Sequence, residues 1–299
     1  MDKRRTNRPI TAILIAIISL TPSLTWMKAA AEPSPDQQAT ITRIHERKER
    51  VKQLCQAGKF EDALPLAEQN AADAKESVGV KQPLCADALM TLADIQIRLG
   101  DYSKAEPICN EATSIRKETI GTHTPVYINS LKKLIWLDAK LENYQLAVAS
   151  CEELTELRKQ MVGTKHPDYA ESLNDLGGLF AAMHEFAKAK PLFEQALAIR
   201  KQVIGAKSPE YATSLNNLAG VYAQQGQYAK AESLCQEALS VRKEILGTHD
   251  PAYLQNLDNL AQLYDATGEN EKGKIIREEV LAIHNQISAQ VPATGTLSR

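Results

Sequence analysis

Residues 210–247 read Glu210-Tyr-Ala-Thr-Ser-Leu-Asn-Asn-Leu-Ala-Gly-Val-Tyr-Ala-Gln-Gln-Gly-Gln-Tyr-Ala-Lys-Ala-Glu-Ser-Leu-Cys-Gln-Glu-Ala-Leu-Ser-Val-Arg-Lys-Glu-Ile-Leu-Gly247, and they decide the fold. Tyr211, Leu215, Leu218, Ala219 and Tyr222 recur at steps of three and four, the mark of one apolar helical stripe. Tyr228, Ala231, Leu234, Cys235, Ala238 and Leu239 repeat that pattern, so a second helix follows. Gly226 between them supplies a tight connection.

Outward from this stretch, Pro83, Pro125, Pro167, Pro209 and Pro251 stand 42 residues apart, and Gly79, Gly121, Gly163, Gly205 and Gly247 keep the same interval. Helix-breaking residues on a fixed period describe one helical unit copied along an array, each copy burying its apolar face against its neighbours. Thr124-Pro125, Ser208-Pro209 and Asp250-Pro251 place a capping side chain before a proline, which is tolerated where its missing N–H has no intrahelical partner. Asp168 and Glu210 add first-turn negative charge, and the glycine column marks where each preceding helix ends. Arg116, Arg158, Arg200 and Arg242, each followed by lysine, fall in last turns, as cations complementing helix C-termini or as a basic stripe for a partner.

Cys109, Cys151 and Cys235 share one column of the period, whose remaining member is Phe193. Neighbours in a column are one repeat apart, roughly 10 Å by helix-packing distance, beyond the ~7 Å Cα limit of a disulfide. They read as small core residues. His123 and His249 share a loop column, with His166 one residue past it, too dispersed for a metal site. Gly177-Gly178 lacks the preceding strand and following lysine and serine of a phosphate loop.

Residues 1–31 read as an export signal: Lys3, Arg4, Arg5 and Arg8, an apolar run from Ile10 to Leu20, then Ala29-Ala30-Ala31 before Glu32. Thr11, Ser19, Thr21, Pro22, Ser23 and Thr25 dilute the uncharged stretch below what a spanning helix wants. Cleavage is the expected outcome, and retention as an N-terminal anchor is the alternative. The chain from Glu32 onward then carries 30 basic and 36 acidic residues, a net charge of −6. That balance excludes the basic face that nucleic acid demands.

Leu215-Asn-Asn-Leu-Ala219, Tyr222, Gly226, Tyr228, Ala231 and Ala238 resemble the tetratricopeptide repeat, and the 42-residue step with Ala238-Leu-Ser-Val-Arg-Lys-Glu-Ile-Leu-Gly247 and His249-Asp-Pro251 resembles its kinesin light chain type. The resemblance implies an all-α, right-handed α-solenoid of antiparallel helix pairs. About six units are expected near 43–83, 84–125, 126–167, 168–209, 210–251 and 252–288. A linker at 32–42 precedes them and a disordered tail at 289–299 follows. Terminal copies depart from the pattern: Arg47 and Arg50 replace the leucines of later copies, suiting a solvated cap, and Asn270 and Gly273 weaken the last helix.

In the family the first helix of each pair lines a concave groove. Carried over by position, the groove residues are Asn174 and Asp175, Asn216 and Asn217, Asp258 and Asn259, and Lys132 and Lys133, with Trp136 one turn on. Arg98 and Lys140 join the lysines in a basic N-terminal half, against Asp175, Asp258 and Asp265 in an acidic C-terminal half. Asparagine amides suit a peptide backbone or a bridge between repeats. Trp136 suits a ligand anchor or a packing role, and the lysines suit a carboxylate clamp.

No nucleophile, base and electrophile converge, so the chain is expected to be a non-catalytic binding scaffold: no cofactor, no metal, and as partner a protein or extended peptide. It is expected to be a monomer, periplasmic or secreted, or else membrane-tethered through residues 1–31. A cytosolic cargo adaptor fits poorly with the export signal.

Overall fold

A computed structural model describes residues 34–290. The export segment and most of the tail lie outside them. Among the described residues there are twelve helices: α1 (Pro35–Gln56), α2 (Phe60–Ser77), α3 (Pro83–Leu99), α4 (Tyr102–Ile120), α5 (Pro125–Lys140), α6 (Tyr144–Val162), α7 (Pro167–Ala182), α8 (Phe186–Val203), α9 (Pro209–Gln224), α10 (Tyr228–Leu246), α11 (Pro251–Ala266) and α12 (Asn270–Gln290). Each packs on the next in order, giving six antiparallel pairs stacked as a solenoid. None is long and apolar enough to cross a membrane.

The punctuation works as the residues require. Every odd-numbered helix opens on proline at its first position. Thr124 accepts the backbone N–H of Tyr127, Ser208 that of Tyr211, Asp250 that of Ala252, and the His166 ring that of Asp168. The period-42 glycines all take positive φ, from 78° to 100°. The turn inside each pair has a second such column, in which Glu142 (φ 60°) and His184 (φ 59°) hold the conformation that glycine takes in the other copies. A side chain there carries local strain.

Two terminal expectations need correction. Residues 35–42 are not linker: Pro35 starts α1 behind a capping box, in which Ser34 accepts from the Gln37 N–H and Gln37 accepts from the Ser34 N–H. Gly273 does not shorten α12. A Cβ there would stand 2.7 Å from Asp265 Oδ1, so glycine admits the two-pronged Arg277–Asp265 ion pair, at 2.7 and 3.2 Å, that ties α12 to α11. Arg47 is likewise engaged, donating to Asn70 (3.0 Å) and Asp73 (2.9 Å), whereas Arg50 is exposed.

The arginine column is not an exposed basic stripe: all four arginines are buried. Arg200 Nη1 crosses to α9 and donates to the Glu210 carbonyl (2.9 Å) and Ser214 Oγ (2.6 Å). Arg158 does the same to the Asp168 carbonyl and Ser172, and Arg242 to the Ala252 carbonyl and Asn256; Arg116 reaches Ser130. Their second prongs turn to acceptors such as Asp87, Glu171 and Thr213. The column therefore fastens the second to sixth pairs to one another, while the first junction, α2 to α3, has buried Ala74 in this column.

Cys109, Cys151 and Cys235 are buried free thiols, and burial pushes their pKa values up to about 11, 12 and 11. Where Phe193 takes their place, the facing residue is Gly177, and a Cβ on it would meet the ring at 2.9 Å. One large and one small side chain thus replace the Ile135–Cys151 and Ala219–Cys235 combinations of neighbouring copies.

Two predictions follow from these buried polar groups. Arg200→Met should lower stability by about 2–4 kcal/mol, because it strips a buried carbonyl and hydroxyl of their charged donor; urea unfolding followed by circular dichroism measures this. Asp138 is 2% exposed, with one carboxylate oxygen lacking any hydrogen-bond partner. Burial, and then the charge of Glu106, raise its pKa to about 6. The folded chain thus binds this proton more tightly than the unfolded one, so the penalty is absent below pH 4 and complete above pH 6. Asp138→Asn should stabilise the chain at pH 7.5 by about 2–3 kcal/mol and flatten the pH dependence of Tm between those limits.

Candidate functional groove

The first helices of successive pairs stand side by side, so positions 42 residues apart form rows across one face. In the row Trp136, Gly178, Gly220 and Gln262, the two glycines are exposed, and a Cβ on either would meet no atom within 4 Å. Here the face hollows into an open cavity of about 1110 Å³. Lys132, Trp136, Asn174, Asp175, Asn216, Asn217 and Asn259 are among its lining residues. Lys133, Asp258, Arg98 and Lys140 are not among its lining residues.

The asparagines bridge repeats and still face the cavity. Asn217 Nδ2 donates to Asn174 Oδ1 (2.9 Å), and Asn259 Nδ2 donates to Asn216 Oδ1 (3.1 Å). These bonds fix which way each amide points. Asn259 Oδ1 accepts from Gln255 (3.3 Å), while the amide nitrogen of Asn216 and the carbonyl oxygen of Asn217 carry no bond among the described residues, leaving a donor and an acceptor on the wall. Trp136 also serves both roles. Tyr102 meets it edge-on at 5.5 Å and Lys140 lies 5.8 Å from its ring centroid, while 41% of the residue remains exposed.

The lysines do not form a free clamp. Lys132 pairs with Glu171 of the following repeat (3.0 Å), and Lys133 with Asp94 of the preceding one. Glu171 also takes Arg158 (2.8 Å); burial works against its ionisation, but Lys132 and Arg158 prevail and hold its pKa below the usual value. Asp265 is spent on Arg277. The expected change of sign therefore reduces to exposed Arg98 and Lys140 on one side and Asp175 and Asp258 on the other, none of which forms an ion pair among the described residues.

Gln262 also lines the cavity, as do His184, Gln224 and Tyr228, which were not foreseen there. Tyr228 belongs to a column read as core, yet it is 38% exposed. His184 had a signal in the sequence: it departs from the column of Gly226. Among the described residues, no three His, Cys, Asp or Glu side chains gather in a way that would hold a metal ion.

With this geometry in place, comparison with known proteins gives a consistent answer. The family model described as tetratricopeptide repeat matches residues 50–118, 135–202 and 210–286, and a second model of that description matches 174–244. The chain belongs to the tetratricopeptide repeat family. No curated protein matches it. Among solved structures, kinesin light chain-like repeats from Podosopora anserina align with a TM-score of 0.58 at 23% identity, covering 70% of this chain and 99% of theirs. BtubC from P. vanneervenii aligns at 0.59 and 20%, covering 87% and 97%. A tetratricopeptide repeat protein from Parabacteroides merdae aligns at 0.61 and 18%, covering 81% and 80%. At these identities the likeness is one of fold, and the fold is that of the 42-residue, kinesin light chain-like solenoid.

The paired lysines make a quantitative expectation. Replacing Lys132 or Lys133 with methionine should cost at most about 1 kcal/mol, as for other half-exposed pairs. Lys132→Glu should cost more, because it sets a second carboxylate against Glu171. Chemical denaturation of the three variants would rank them.

Proposed function

We propose that the chain is a non-catalytic scaffold that binds an extended peptide, or an extended segment of a partner protein, in the cavity on its first-helix face. The observation that carries this reading is the wall of asparagines from three successive repeats, pre-set by the Asn217–Asn174 and Asn259–Asn216 bonds beside a glycine-floored trough. A peptide backbone presents alternating N–H and C=O groups and so matches such a wall. Trp136 supplies exposed aromatic area at one end. Affinity would come from several modest contacts over a pre-formed surface, with little ordering cost on the protein side.

We further propose that the scaffold works outside the cytoplasm, in the periplasm or secreted, as a monomer. The basic start, apolar run and Ala29-Ala30-Ala31 of the N-terminal segment support this. The same segment favours a second reading, in which it stays attached and tethers an envelope assembly component. N-terminal sequencing of the protein from native membranes and medium separates the two: a chain starting at Glu32 supports release, and one starting at Met1 in membranes supports the tether.

Gly178→Trp and Gly220→Trp test the groove, since both fill the trough where the fold leaves open space. Each should keep the helicity and Tm of the parent while crosslinking capture of partners from the native envelope falls roughly tenfold or more. Undiminished capture by both variants would overturn the groove reading.

A further inference from the structure

The ionisable side chains of the trough are not equally provided for. Lys132 is neutralised by Glu171, and His184 stacks edge-on against Phe186 with ring centroids 5.8 Å apart. Glu171, one helical turn before Asp175 on α7, receives both Lys132 and Arg158. Asp175 pairs with neither: Arg158, Lys132 and Arg200 are near enough to favour its charge, but among the described residues no cation lies within ion-pair distance of it. Its pKa is raised, first by burial and then by the charge of Glu171. A half-buried carboxylate without a counter-ion is costly unless one arrives from outside.

The surroundings suit one kind of counter-ion. Gly178, three residues further along α7, and Gly220 of the next repeat leave the trough floor open beside Asp175. The exposed Trp136 indole forms the near end, and Lys140 already takes up a cation position at that ring. A long aliphatic stem can therefore lie along the indole and the glycine floor while its charged head reaches the carboxylate. An acidic ligand finds no such place, since the one lysine lining the trough is paired. The net charge of −6 from Glu32 onward favours the approach of a basic partner.

We infer that the groove selects an extended peptide carrying a lysine or arginine, whose cationic head pairs with Asp175 while its stem packs on Trp136 and the Gly178–Gly220 floor. This rests on the peptide-binding reading above and reverses the polarity that Lys132 and Lys133 suggest in the sequence.

The test is selection of the full chain on a display library of random twelve-residue peptides, followed by titration of the enriched peptides. The expected result is a lysine or arginine at one shared position, with a loss of roughly tenfold in affinity when that residue becomes glutamine. Asp175→Asn, which relieves a raised carboxylate and should leave Tm undiminished, should erase the preference at that position alone, and Asp175→Lys should turn it toward glutamate. Enriched peptides with no basic position, or a preference unmoved by Asp175→Asn, would overturn the inference and leave peptide binding standing. Enrichment of no peptide at all would overturn both.

Discussion

Four of the five junctions in this array depend on a guanidinium that leaves one helix pair and donates to the next. Apolar faces alone let neighbouring helices slide, because burial is non-directional. Arg116, Arg158, Arg200 and Arg242 remove that freedom: each is buried, and each finds a serine or asparagine fourteen residues on, three of them with a first-turn carbonyl ten residues on. A planar donor with fixed directions accepts few arrangements. The repeat-to-repeat geometry follows from making that connection four times over.

That geometry produces the groove and also spends most of its charge. Once pairs are fastened at this spacing, side chains 39 to 43 residues apart come within reach of one another, and opposite charges there cancel: Lys132 with Glu171, Lys133 with Asp94. The asparagines at the same spacing bond to each other and become a fixed wall. What the face can offer a ligand is the remainder after these internal matches: oriented amides, an indole held edge-on by Tyr102, open space over two glycines, and Asp175. The departures from the period cluster there too, with His184 holding a left-handed turn at the trough's rim.

The helices were legible because their signals are local. Proline before the first turn, glycine after the last and a three-four apolar stripe act within a few residues, so Pro83, Gly121 or Tyr211 mean the same in any surroundings. The groove was half legible. Period arithmetic put Asn174, Asn216, Asn217, Asn259, Asp175 and Trp136 on one face, where they line the cavity, because position in the unit maps onto position in space. It said nothing of what each would touch, and so it misjudged Lys132 and Lys133 as free, left a basic stripe open for the arginine column, and read Tyr228 as core and residues 35–42 as linker despite the Ser34–Gln37 capping box.

The sequence by itself determined the architecture: an all-helical array with its unit length, its caps and its buried cysteine column, since each is written in local propensity and in a strict period. Only the tertiary structure decided which polar groups are already satisfied. Hydrogen bonds and ion pairs act over about 3 Å, and whether Asp94 reaches Lys133 or any cation reaches Asp175 is set by how one repeat rotates on the next. That rotation is a property of packed pairs, and no stretch of chain within one repeat contains it.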